Sequence, residues 1–321
     1  MKAILQDRYG PAEVLRLGEI DPPAPGDDEV LVRVRAAGVD SGVVHLTTGL
    51  PYAVRLAAGL RAPRGKVPGM AVAGVVEAAG RNVTGFHPGD EVFGTCQGAF
   101  AEYALARQDK LAPKPATLTF EQAAAVPVSA TTALRGLREP GKVQPGQKVL
   151  VTGAGGGVGS YTVQLAKAFG AEVTGVCGTD KADLVRSLGA GHVIDYTRED
   201  FTDGPARYDV ILDIAGDRPL SRLRRVLTPG GTLVLMGGEG GGRWTGMGRQ
   251  FRATLLSPFV RHRLRVLVAM PRGADLRDLA ELIDAGQVTP VVTRTYPLGE
   301  APDAVRYVAG GHARGKVVVT V

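Results

Sequence analysis

Val149-Leu150-Val151-Thr152-Gly153-Ala154-Gly155-Gly156-Gly157-Val158-Gly159-Ser160 decides the fold. A short β-branched run stops at a glycine cluster, and a helical pattern begins at once. Val158, Tyr161, Leu165 and Ala168 recur at helical spacing, with Ala166 and Phe169 widening the apolar stripe. Strand, tight glycine turn and helix make the first half of a dinucleotide-binding βαβ unit. The turn needs φ > 0, the backbone must come close to a pyrophosphate, and free N–H groups at the helix start receive its charge. In register the fingerprint reads Ala154-x-Gly156-x-x-Gly159, with alanine in place of its first glycine. No Gly-Lys-Ser/Thr closes the run, which excludes a P-loop.

The flanking sequence carries the reading further. Glu172–Cys177 is a second strand, and Leu184, Val185 and Leu188 mark a further helix. Val193–Tyr196, Tyr208–Asp213 and Gly231–Met236 are short apolar runs. Such runs alternating with helices predict a parallel, doubly wound sheet.

The part before residue 115 reads as all-β. Val30–Arg35 alternates behind a proline-stiffened turn, Val72–Glu77 and Phe100–Ala104 are strands, and Pro88–Glu91 turns into Val92-Phe93. Residues 51–68 are expected to form an exposed loop with a short helix. Thr119-Phe120-Glu121-Gln122 has capping-box spacing before a long alanine-rich helix, where the nucleotide domain is expected to start. The glycine-rich Gly237–Gly242 precedes an arginine-rich segment, Arg249–Arg265, read as a helix at a domain or subunit interface. Asp275 is read as the cap of a last helix closed by Gly286, and the chain ends in the strand Lys316–Val321.

Length and composition bound the function. A chain of 321 residues with 44% hydrophobic and 22% charged residues predicts a soluble protein of two domains. Its formal charge of +6 suits an anionic ligand, but no aromatics are interleaved with Arg55, Arg61, Arg64 and Lys66, so nucleic acid is not an expected partner. Two cysteines, Cys96 and Cys177, cannot build a disulfide framework or a four-cysteine zinc lobe. No apolar run reaches membrane-spanning length, and the expected location is cytoplasmic.

This order of elements resembles the medium-chain dehydrogenase/reductase superfamily, and within it the zinc-free quinone-oxidoreductase-like branch. The likeness is carried by Pro88–Gly94, Gly98–Tyr103, Ala123–Pro127 with Thr132-Ala133, Gly156–Gly159, Ser187–Ala190 with Val193–Tyr196, and Gly315–Val318. It implies an α/β fold: a GroES-like β-rich catalytic domain over 1–118 and 266–321, and a Rossmann NADP-binding domain over 119–265. It further implies a homodimer, a cofactor cleft between the domains and hydride transfer from NAD(P)H. The cofactor positions it implies are Thr132, Gly153, Gly156, Gly157, Val158, Gly159, Cys177, Thr179, Lys181, Tyr196, Gly237 and Lys316. At the end of the second strand, where a carboxylate would select NAD, stands Cys177. Thr179 as donor, Lys181 as cation and Tyr196 point to NADP.

Zinc-dependent relatives place cysteine at Asp40 and Gly-His-Glu at Gly69-Met70-Ala71. A thioether and a methyl cannot replace imidazole and carboxylate, and His45, His87, His192, His262 and His312 have no ligand spacing. Without a metal, the expected reaction is hydride delivery to a quinone or an α,β-unsaturated carbonyl, whose developing negative charge needs donors and a proton. The catalytic candidates lie in the 40–52 loop: Asp40, His45 and Tyr52, with water as a further proton source. Asp40-Ser41-Gly42-Val43 departs from the branch's Asn-Pro-x-Asp. Two alternatives stand beside this reading: a non-catalytic NADP-binding protein, crystallin-like or regulatory and with RNA affinity, and a metal-free alcohol/ketone oxidoreductase.

Overall fold

The computed structural model describes residues 1–216, 218–237, 247–267, 271–311 and 313–321. Residues 238–242 of the glycine-rich piece and His312 lie outside them. In chain order the elements are β1 (Lys2–Leu5), β2 (Arg16–Glu19), β3 (Glu29–Val39), α1 (Ser41–Thr48), α2 (Val54–Ala58), β4 (Ala71–Ala79), β5 (Glu91–Thr95), β6 (Tyr103–Arg107), β7 (Leu111–Pro113), α3 (Phe120–Ala124) and α4 (Ser129–Arg138). Then follow β8 (Lys148–Thr152), α5 (Gly157–Ala168), β9 (Glu172–Cys177), α6 (Ala182–Ser187), β10 (His192–Asp195), β11 (Tyr208–Asp213), α7 (Leu220–Arg225), β12 (Leu227–Leu235), α8 (Gly248–Leu256) and β13 (Arg263–Val266). The chain closes with α9 (Gly273–Asp284), β14 (Val292–Pro297), α10 (Ala301–Ala309) and β15 (Lys316–Thr320).

Two compact units emerge. The first comprises Met1–Thr131, Met270–Gly286 and Pro290–Val321. Its larger sheet runs β14-β15-β3-β4-β5-β7, with β6 also paired to β3. β3 alternates as its sequence predicts: Val30, Val32 and Val34 point into a core shared with Val72, Val92, Phe100 and Val319. The part before residue 115 is therefore β-rich but not all-β: α1 interrupts it, besides α2 in the stretch where a short helix was expected.

Residues 132–269 and 287–289 form the second unit. Its parallel sheet has the order β10-β9-β8-β11-β12-β13. Leu150, Ile211, Leu233 and Leu264 belong to one core under it. The order reverses between β8 and β11, and such a switch point leaves a crevice at the carboxyl ends of the strands. The glycine turn follows β8 there.

The domain boundaries differ from the sequence expectation at both ends. The capping box is present, with Thr119 Oγ1 accepting from Gln122 N–H at 3.2 Å. However, the helical region breaks around Pro127 into α3 and α4, and α3 belongs to the first unit. Gly38 of β3 explains why, because a Cβ there would collide with Ala124 O of α3. The division falls inside α4. At the far end β13 completes the parallel sheet, so the arginine-rich segment is a helix followed by an edge strand. Phe100–Glu102 precedes β6 and is held by an isolated bridge between Ala3 and Ala101. Asp275 is not the cap of α9: Arg272 is, and Asp275 sits in the first turn, where its charge suits the helix dipole.

Candidate active site

Within the second unit the predicted glycines divide by physical role. Gly153 has φ +66°, a region costly for any side chain. A Cβ on Gly159 would collide with Gly153 O, and one on Gly237 would collide with Ile214 O, so these two glycines permit backbone contact within the protein. Gly156 is different. Its backbone is extended (φ −90°, ψ −176°), and the nearest atom to a Cβ there is Gly153 O at 3.3 Å. A Cβ at Gly156 would ask that carbonyl to give by only a few tenths of an ångström, far less than at Gly159 or Gly237. As N-cap of α5, Gly156 offers no capping side chain, so the N–H groups of Gly157 and Val158 at the helix start have no intrahelical partner. Uncapped donors with no side chain standing before them fit an anionic pyrophosphate.

The neighbouring strand ends supply the rest. The stem of Lys181 lies across Gly155: its Cβ and Cδ stand 2.7 and 2.9 Å from where a Cβ on that glycine would be. The hydroxyl of Tyr196 is 3.6 Å from the corresponding point on Gly178. Cys177 is buried, opposite Asp195 in the β9–β10 register. Burial pushes its thiol up, aided by the Asp195 and Asp180 carboxylates. Lys181, Cys177, Thr179 and Tyr196 are thus gathered at one end of the sheet with the glycine turn. Thr132 lies half-buried on α4.

The Thr179 hydroxyl, expected to donate to a ligand, donates here to Asp195 Oδ2. Thr197 donates to the other oxygen of Asp195 through its N–H (3.0 Å) and its hydroxyl (2.7 Å). The Thr179 bond, followed by those from Thr197, holds Asp195 below the usual carboxylate range. Asp195 ends the strand β10 and is a site residue that its local sequence does not single out. Its signal was its place beside Tyr196 at a strand end, in a parallel sheet whose strand ends converge. Asp213, also passed over, is fully buried at the end of β11. It accepts from Thr152 Oγ1 (2.9 Å) and Arg249 Nη2 (2.7 Å). Thr152 Oγ1 in turn accepts from Ile214 and Ala215 N–H at 3.0 and 3.1 Å, which fixes the crevice floor.

In the first unit, residues 40–49 form α1 with its two caps, so His45 sits on a helix rather than on the expected loop. Asp40 caps α1 through Oδ1, which accepts from Gly42 N–H at 2.9 Å, and Gly49 at φ +63° ends it. His45 Nδ1–H donates to Leu50 O at 2.9 Å, which leaves Nε2 as the ring nitrogen open to proton exchange. Tyr52 is exposed, with the Arg55 guanidinium 4.8 Å from its ring centroid and 4.5 Å from that of Tyr9. Asp40 is only 8% exposed, and its Oδ2 has no hydrogen-bond partner.

Lys316 was read as a cofactor contact. It is 2% exposed, and its ammonium donates to Ser129 Oγ (3.0 Å) and Val39 O (3.3 Å) inside the first unit. Burial pushes Lys316 down, and the Asp40 charge opposes this. Sequence reading could not see this grouping, because Lys316 and Val39 are 277 residues apart.

Met70 lies against the start of α1, its Cε 2.8 Å from where a Cβ on Gly42 would stand. The two positions at which zinc-dependent relatives carry metal ligands are therefore neighbours here, occupied by Asp40 and Met70. Among the described residues, no three His, Cys, Asp or Glu side chains converge where they could hold a metal ion.

Known proteins match this architecture along the whole chain. An alcohol dehydrogenase GroES-like domain model matches residues 26–116, and a zinc-binding dehydrogenase model matches 188–319. The mitochondrial NAD(P)H oxidoreductase RTN4IP1 of Mus musculus is 34% identical, over 100% of this chain and 89% of its own length. The chloroplastic NADPH-dependent alkenal/one oxidoreductase of Arabidopsis thaliana is 34% identical, over 99% of this chain and 79% of its own. The Escherichia coli quinone oxidoreductase, solved in complex with NADPH, superposes with a TM-score of 0.85 at 27% identity, covering 100% of both chains. The chain belongs to the medium-chain dehydrogenase/reductase superfamily, in its quinone-oxidoreductase-like branch.

Proposed function

We propose that this protein is an NADPH-dependent, zinc-independent reductase that transfers hydride to a quinone or to the C=C bond of an α,β-unsaturated carbonyl. The observation that carries the reading is Gly156: a glycine where an added Cβ would meet the protein far less closely than at Gly159 or Gly237, set beside the uncapped N–H groups of α5. The names of the relatives, which include quinone, alkenal and enone reductases, support the same chemistry.

When bound, NADPH supplies the hydride. Gly157 and Val158 N–H would receive the pyrophosphate. Lys181 and the Tyr196 hydroxyl would meet the 2′-phosphate, while Asp195 engages Thr179 and leaves that hydroxyl without a proton to give. His45 would hold a proton at Nε2 and donate it to the substrate oxygen as negative charge develops there, with Nδ1–H fixing the ring on Leu50 O. Asp40 and Met70 support a metal-free reaction, since a lone carboxylate and a thioether are a poor donor set for zinc.

The same reading makes the protein a homodimer. Phe251, Leu255 and Phe259 expose large apolar side chains on one stretch of the second unit and offer a face for self-association. It also places the protein in a reducing cytoplasm, which suits two free cysteines. No described helix is long and apolar enough to cross a membrane.

The test is a screen of NADPH oxidation against quinones, enals, enones and 2-alkenoyl thioesters, run with and without a zinc chelator. Enone- or quinone-dependent turnover that survives chelation is expected. NADPH oxidation by a saturated ketone added to the panel and by none of the conjugated acceptors, or loss of turnover on chelation, would overturn the reading.

A further inference from the structure

The parallel sheet has a second end. β8, β11, β12 and β13 start at Lys148, Tyr208, Leu227 and Arg263, away from the glycine turn. A cavity of about 700 Å³ opens at these starts, lined among others by Glu139, Lys142, Asp209, Gly230, Arg263 and Arg265. Its size is that of a small-molecule site. β8 has five residues, so this cavity and the glycine turn are separated by about 17 Å of strand.

The charges in this cavity are unbalanced. On β13, Leu264 enters the core, so Arg263 and Arg265 share the opposite face. Among the described residues, the side chains of Lys142, Arg263 and Arg265 have no ion pair or hydrogen bond. The two carboxylates are already engaged. Arg135 holds Glu139 with two bonds, at 2.9 and 3.0 Å. Asp209 accepts from Lys148 N–H at 2.9 Å and Thr228 Oγ1 at 3.0 Å. Glu139 is neutralised by Arg135, whereas Asp209 is bonded only by neutral donors, so three cations face the cavity against a single carboxylate charge.

Backbone conformation gives an independent sign. Lys142, at φ +47°, is the only non-glycine residue with positive φ among the described residues. Glycine would adopt this conformation freely and lysine does not. Such strain is retained where the surrounding structure or a function requires the side chain.

We infer that this cavity is a second anion site, which binds a small phosphate-bearing molecule independently of the cofactor. Paired arginines suit phosphate through their forked donors. Among the described residues the lining contains no aromatic side chain, so it lacks the stacking surface that single-stranded nucleic acid uses.

The experiment titrates inorganic pyrophosphate into the full-length protein by calorimetry, with and without saturating NADPH. With NADPH filling the glycine turn, saturable one-to-one binding is expected; without it the glycine turn can take up a second equivalent, so the NADPH-saturated arm reads the new site. Arg263→Ala with Arg265→Ala should weaken it at least about tenfold, because both bonds are to a charged group. Lys142→Gly should weaken it several-fold while leaving the melting temperature equal or higher, since glycine relieves the strained backbone. The site is refuted by absent binding, by affinity unchanged in these variants, or by pyrophosphate binding that NADPH abolishes. Tighter binding of a short oligoribonucleotide than of pyrophosphate would overturn the small-ligand assignment.

Discussion

The carboxyl end of the parallel sheet and the start of α1 are built on opposite principles. The first is a site made of backbone, where Gly153, Gly156, Gly159 and Gly237 matter for the side chains they lack. The second is made of side chains, where Asp40, His45 and Lys316 matter for the atoms they carry. A backbone site tolerates almost no substitution, whereas a side-chain site can be rebuilt with other residues. Asp40 in place of the branch's asparagine shows this, since it still caps α1 through Oδ1.

The largest expected effect separates two glycines of the first region. Gly156→Val should lower NADPH affinity by about a hundredfold or more while the melting temperature falls far less than in Gly159→Val, because its Cβ stands 3.3 Å from Gly153 O and mainly takes up ligand space. Gly159→Val should lose both, since its Cβ would meet Gly153 O and overpacking typically costs about 1–3 kcal/mol. Fluorescence titration and thermal melts of both variants check this. Equal behaviour of the two would end the distinction between ligand space and protein packing.

Next in size is the 2′-phosphate. Lys181→Ala should weaken NADPH by roughly ten- to a hundredfold and NADH hardly at all, since hydrogen bonds to charged groups contribute about 1.5–3 kcal/mol. Thr179→Val should cost less than about threefold, because its proton goes to Asp195. A larger loss in the Thr179 variant than in the Lys181 variant would reverse the assignment.

In the second region, His45→Phe should reduce kcat by about tenfold or more with NADPH affinity unchanged, as removal of a proton donor does. An unchanged kcat across the pH range would return His45 to holding the turn at Leu50.

The smallest effect concerns Lys316. Its folded-state value lies below the ordinary 10.5 because of burial, so across that window the unfolded chain binds more protons than the folded one. Stability should therefore rise with pH from the folded value up to about 10.5. Asp40→Asn keeps a capping oxygen but removes the charge that favours the ammonium. It should extend this window to lower pH and cost on the order of 1 kcal/mol near neutrality. Chemical denaturation of both proteins between pH 7 and 10 measures it, and superimposable curves would show that the two groups do not interact.

The difference between the regions also explains what the sequence disclosed. β8, the glycine turn and α5 were legible because a period-2 run, a glycine cluster and a period-3.6 stripe follow one another within 20 residues. β9 and β11 came out with the predicted bounds, Glu172–Cys177 and Tyr208–Asp213. The break between α3 and α4, the edge strand β13 and the bond from Thr179 to Asp195 were not legible. Each depends on a neighbour distant in sequence: α3 on Gly38, β13 on β12, Thr179 on the end of β10. Side-chain sites such as Asp40 with Lys316 share this limit, which local periodicity cannot pass.

The central claim is that the sheet's carboxyl end selects NADPH to drive reduction of a conjugated carbonyl or quinone. The most direct test titrates NADPH and NADH in parallel into the parent protein and then follows oxidation of each with a responsive enone or quinone. The account predicts tighter binding of NADPH by about tenfold or more and turnover driven by it. Preference for NADH, or NADPH binding with no turnover on any such acceptor, would contradict it.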